Sequence, residues 1–140
     1  MNIVIGQEFV QKVLALIRDA KRDIKICVFD WRWYPNDPSN PAQIFNHALV
    51  TASRRGIKIT AVTNDDHIIA TLQGEGIFAK KLLSRNLLHA KFMVIDDEVF
   101  VLGSHNYTQN AFTTNFEVSI IGREVESSLR LRDFFNLLYA

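Results

Sequence analysis

His89 and Lys91 stand two residues apart beside an apolar, strand-like run, and Ser104 and Asn106 repeat that spacing after a second such run. In an extended strand, side chains two apart point the same way, so His89 and Lys91 converge while Ala90 and Phe92 face away. Phe92 to Ile95, the acidic Asp96-Asp97-Glu98 and Val99 to Leu102 read as two strands joined by a tight turn. Gly103 allows close backbone approach where the second strand ends. If the strands pair, an imidazole, an ammonium, a hydroxyl and an amide meet at one end of the hairpin. Displacement at a phosphodiester needs a nucleophile, positive or hydrogen-bonding groups on the nonbridging oxygens, and an acid for the leaving oxygen. Lys91 and Asn106 suit the oxygens, and Ser104 can add a hydrogen bond. His89 can attack phosphorus or donate a proton, but not both at once, so this chemistry requires two histidines.

The arrangement H-x-K-x4-D-x6-G-S-x-N resembles the signature of the phospholipase D superfamily, with His89, Lys91, Asp96, Gly103, Ser104 and Asn106 each at its matching place. Glu117, in the stretch N-F-E, matches the family's acidic partner that holds the histidine. One copy of the motif is present, so the chain resembles the short, single-motif members such as small bacterial endonucleases. The resemblance implies a site in which two motifs meet across a twofold axis. One histidine there forms a phosphohistidine and the other protonates the leaving group. For this chain that means a homodimer, with no metal and no cofactor. Glu117 is then expected to accept the N–H of a histidine ring. Asp96 falls at the hairpin turn, away from the cluster, so a structural or supporting role is expected for it despite its place in the signature.

The remaining sequence supplies the elements that must hold this hairpin. Gly6 to Ala20 carries Phe9, Val10, Val13, Leu14, Leu16 and Ile17 at helical spacing, which predicts an amphipathic helix. Asp23 to Asp30 resembles the family's first core strand, and Ala48 to Asn64 its helix, R-G corner and second strand. Ile68 to Leu72 predicts a short helix, Phe78 to Leu83 and Phe116 to Ile121 further strands, and Glu124 to Leu138 a closing helix. The order predicts an α/β fold in which a mixed sheet is flanked by helices on both faces, one phospholipase D-like domain over residues 1–140. The loop Trp31 to Pro41 begins where the first strand ends. Loops at strand ends line sites in such sheets, so Trp31, Arg32, Trp33 and Tyr34 are candidates to stack on a base or hold a substrate group, Trp33 above all. Packing of the loop is the alternative.

At 140 residues the chain is one domain, too short for two catalytic halves. Hydrophobic residues at 48% and charged residues at 22% exclude a disordered chain. The first dozen residues show neither a basic leader nor an apolar span, so a cytoplasmic protein without stable membrane insertion is expected. Cys27 lies in an apolar run and is expected to be a packed core thiol. A net charge of +1 is silent on substrate. Nucleic acid is the expected substrate. A phospholipid headgroup ester, or a noncatalytic phosphate-binding or assembly module, are the alternatives. Asp65, Asp66 and His67 match no tight ligand spacing, His47 and His67 are expected to be solvent-facing or packed, and His105 is expected to point away from the site.

Overall fold

The computed structural model describes residues 1–140. In chain order the elements are β1 (Asn2–Ile5), α1 (Glu8–Asp19), β2 (Asp23–Cys27), α2 (Pro41–Arg54), β3 (Lys58–Thr63), α3 (Asp66–Gly74), β4 (Phe78–Lys81), β5 (Phe92–Ile95), β6 (Val99–Gly103), α4 (Gln109–Thr113), β7 (Val118–Gly122) and α5 (Val125–Tyr139). The strands form one sheet in the order β1-β7-β6-β5-β2-β3-β4. Strands β2, β3 and β4 run parallel through helical crossovers, whereas β5, β6, β7 and β1 pair antiparallel.

Strand alternation divides the core in two. Ile24, Ile26, Met93 and Ile95 face α1, α2 and α3 in a main cluster of 31 buried residues. Cys27, Phe92 and Val94 face the other way, where Phe135 of α5 closes a smaller cluster. Helices therefore cover both faces, as the element order predicts. The α1 stripe is buried along its length. Phe9, Phe45 and Phe112 are fully buried against one another, and truncating one to Ala would cost about 3–5 kcal/mol. No helix is long and apolar enough to cross a membrane.

Local sequence explains the boundaries. Asn40 caps α2 by accepting from the Ala42 N–H at 2.9 Å, with Pro41 at the first helical position, so the helix begins inside the proline-rich loop rather than near Ala48. Asp65 caps α3 by accepting from the Ile68 N–H at 2.9 Å. The β5–β6 turn places Asp96 (φ 54°) and Asp97 (φ 57°) in the left-handed region, which aspartate tolerates and which matches the twist of a hairpin. Two elements lie outside the sequence expectations: β1, an edge strand paired to β7, and the short α4. The strand expected over Phe116 to Ile121 begins at Val118, leaving Phe116 wholly exposed.

Candidate active site

Five neighbouring strands, β7-β6-β5-β2-β3, bring their ends together at one edge of the sheet, and the chemistry-bearing residues sit on those ends. Lys91 immediately precedes β5, Ser104 follows β6, Glu117 precedes β7, Phe29 and Asp30 follow β2, and Asn64 follows β3. The backbone is stitched across them: the Gly103 N–H donates to the Lys91 carbonyl (3.3 Å) and the Ser104 N–H to the Val118 carbonyl (3.0 Å). Gly103 is required by space, since a Cβ there would collide with Ser119 and the Val118 carbonyl. The Asn64 amide donates to the carbonyls of Phe29 (2.9 Å) and Leu88 (3.1 Å), fixing the approach to His89.

His89 and Lys91 converge as their spacing predicts, the Lys91 Nζ lying 3.2 Å from Nδ1 and 3.3 Å from Nε2 of the ring. Phe29 supports both, its ring 4.9 Å from the imidazole and 5.5 Å from the ammonium. Burial holds the Lys91 ammonium below the usual lysine range, while the Glu117 carboxylate pulls it back up. Glu117 is itself held: Ser104 Oγ donates to Oε1 at 2.6 Å and Asn115 Nδ2 to Oε2 at 3.1 Å. Within one chain no hydrogen bond joins Glu117 to His89; its partners are a hydroxyl and an amide. Asn106 accepts the Asp30 N–H through Oδ1 (3.1 Å), and its NH2 donors have no partner within the chain. His89, Lys91, Ser104, Asn106 and Glu117 are thus gathered at one sheet edge.

Asp96 does not join them. It lies at the far end of the hairpin, where its carboxylate accepts the N–H groups of Lys21 (2.9 Å), Arg22 (2.7 Å) and Asp23 (3.1 Å) and so anchors the entry to β2. Burial pushes its carboxyl up, but these three donors together with the Arg22 charge outweigh that and hold it below the usual carboxylate range. Its contacts tie the hairpin turn to the start of β2.

His105 points inward. It is 1% exposed, stacks on Phe9, and has both ring nitrogens engaged, Nε2 with the Gly6 carbonyl (3.0 Å) and Nδ1 with Ser119 Oγ (2.8 Å). Burial depresses its pKa, only partly opposed by Gly6 and Glu117. Cys27 is a core thiol, pushed up to about 12 by burial. His47 and His67 are exposed; Asp65 caps α3 and Asp66 pairs with Lys81 at 3.4 Å.

The aromatic loop corrects one expectation. Trp31 is no stacking platform: it is 3% exposed, its indole N–H donates to Asn46 Oδ1 (2.8 Å), and it meets Tyr107 edge-on. Trp33 is half-buried against the main core. Arg32 and Tyr34 line a cavity of about 290 Å3 beside Asn106. A second cavity, of about 370 Å3, runs from His89 and Lys91 to Leu102, Leu131 and Phe134. Phe29, Asn64 and Asn115 escape a reading of the sequence alone. Only Asn115 carries a signal there, standing two residues before Glu117.

Comparison with known proteins agrees with this fold. Residues 13–139 match the family described as cardiolipin synthase, PLD-like domain. The mitochondrial cardiolipin hydrolase of Xenopus laevis is 28% identical over 116 residues, covering 79% of this chain and 51% of that protein. The human mitochondrial cardiolipin hydrolase is 24% identical over 127 residues, covering 86% and 47%. The chain spans about half the length of the curated relatives it matches. Among solved structures, the phospholipase D family member Nuc from Salmonella typhimurium superposes with a TM-score of 0.80 at 20% identity, covering 99% of this chain and 93% of that one. NucT from Helicobacter pylori gives 0.77 at 21% identity, covering 98% and 94%. At these identities the two structures share the fold.

Proposed function

Because the chain belongs to the phospholipase D superfamily, we propose that it is a phosphodiesterase that cleaves nucleic acid without a metal ion, through a phosphohistidine formed on His89 at a site shared by two copies of the chain. The observation that carries this reading is the His89–Lys91 pair just before β5, within reach of the Glu117 charge, on the same strand ends that carry Ser104, hydrogen-bonded to Glu117, and Asn106, held by the Asp30 N–H. A ring nitrogen of His89 attacks phosphorus, forming an N–P bond as the P–O bond to the leaving group breaks. Lys91 and Asn106 hold the nonbridging oxygens as charge develops on them. The leaving oxygen takes a proton from the second copy's histidine. That histidine, now neutral, accepts a proton from water, whose oxygen attacks phosphorus and releases His89.

Two features support the shared site. One chain supplies a single motif histidine, because His105 is buried with both ring nitrogens engaged. The cavity at His89 is also rimmed by the exposed side chains of Leu102 and Phe134, apolar surface that a second copy would cover. In such an assembly Glu117, which already accepts from Ser104 and Asn115, takes a histidine ring N–H from across the axis as a further donor.

A lipid headgroup ester is the second reading, favoured by the same apolar cavity and by the cardiolipin hydrolases among the relatives. The test is cleavage of plasmid, single-stranded DNA, RNA and anionic phospholipid vesicles in excess EDTA, with His89→Ala alongside. EDTA-resistant cutting of nucleic acid that the variant lacks supports the proposal. Headgroup release without cutting favours lipid, and no turnover at all favours a noncatalytic module.

A further inference from the structure

We infer that the cavity beside Asn106 is a subsite for a nucleobase flanking the scissile phosphate, so that the chain selects among bases by side-chain amides; this rests on the nucleic-acid reading above. The cavity joins the end of β2 to the turn after β6 and holds Arg32, Tyr34, Asn106, Gln109, Asn110 and Asn115. Its volume of about 290 Å3 lies at the small end of ligand sites, roughly 300–1,000 Å3, which suits one monomer rather than a long chain.

Four side-chain amides define its chemistry. Asn106 is oriented by the Asp30 N–H, so the residue that meets the phosphate also forms one wall. Asn115 spends its NH2 on Glu117, which leaves its carbonyl oxygen as an acceptor. Gln109 and Asn110 are exposed and their side-chain amides make no hydrogen bond within the chain. Side-chain amides offer a donor and an acceptor side by side, the pattern that pairs with a base edge. Tyr34 borders them, its oxygen accepting the Gln109 N–H at 2.8 Å, so its own proton is free to donate. Arg32 is paired with Asp30 at 3.1 Å, so the cavity lining carries no net positive charge and suits a neutral polar group better than a second phosphate. The other cavity at the site, which His89 and Lys91 line with Leu102, Leu131 and Phe134, is more apolar, so the two cavities differ in chemistry.

The experiment compares kcat/KM of Gln109→Leu/Asn110→Leu with that of the unaltered chain on a set of oligonucleotides of varied sequence and on bis(4-nitrophenyl) phosphate, a diester without a base. The inference predicts that kcat/KM on oligonucleotides falls about ten-fold or more beyond any fall on the aryl diester, and that preference among bases flattens. The milder pair Gln109→Ala/Asn110→Ala, with melting curves for both, gives the same direction without loss of folding. Equal falls on both substrates, or no change on either, overturns the subsite while leaving the nucleic-acid reading intact. If the unaltered chain cuts the aryl diester or phosphatidylglycerol but no nucleic acid, the reading beneath it fails instead.

Discussion

Ser104 Oγ donates to Glu117 Oε1 at 2.6 Å and accepts from the Val118 N–H at 3.0 Å, so one hydroxyl ties the end of β6 to the carboxylate that precedes β7. Replacing it by Ala frees the carboxylate while leaving its charge. Ser104→Ala is expected to lower kcat about ten-fold and to cost about 1 kcal/mol of stability. Steady-state kinetics with a denaturant titration separates the two effects. Unchanged kcat would mean that the orientation of Glu117 is immaterial.

Lys91 carries a depressed pKa, first through burial. Its ammonium is the form that holds phosphate oxygens, so activity is expected to fall on the alkaline side below the ordinary lysine value of about 10.4. Lys91→Arg, which does not titrate in that range, is expected to remove this alkaline limb. Lys91→Ala is expected to lower kcat/KM by roughly 10²–10³. A pH–rate profile of the three proteins checks the assignment.

Asp96 is a charge that holds the fold. Its pKa lies below the unfolded value, so over that window the unfolded chain binds more protons and stability rises with pH. The contribution is present above about pH 3.9 and is lost as pH falls through the folded value. Asp96→Asn keeps the side-chain shape and an acceptor but removes the charge; it is expected to cost about 1–3 kcal/mol near neutrality. The gap to the unaltered protein is expected to close on acidification. Thermal melts from neutral pH downward measure it, and activity per folded molecule is expected to persist.

His105 works in the same direction at higher pH. Burial lowers its pKa, so protonation favours the unfolded chain. Its stabilising contribution is present above about pH 6.5 and is lost as pH falls through the folded value. His105→Gln is expected to lower stability by about 1–3 kcal/mol at alkaline pH and to flatten this part of the pH dependence. Melts at closely spaced pH values test both expectations.

The sheet end that carries the site was legible because a tight turn returns β6 beside β5 and because the spacing of His89, Lys91, Ser104 and Asn106 about that hairpin matches the family signature, although all four lie just outside the two strands rather than on their alternating faces. Elements without a period were not legible. The stretch Asn2–Ile5 is too short to declare itself, and only its pairing with β7 makes it a strand. Trp31 looks like an exposed loop aromatic until Asn46, buried on α2, satisfies its indole N–H. The intrachain partners of Glu117, Ser104 after β6 and Asn115 between α4 and β7, are brought to it by the β6–β7 pairing and that turn, which no spacing rule reaches. Asn64 is separated from Leu88 by 24 residues and is joined to it only by the fold.

The most direct measurement is rapid acid-free quenching of a reacting mixture in EDTA, followed by mass spectrometry of the peptide that carries His89. The account predicts a phosphoryl-linked substrate fragment on His89 that decays with turnover, is released by acid, and is absent from His89→Ala, which no longer cleaves. Cleavage that proceeds with no adduct on His89, or that survives its replacement, would contradict it.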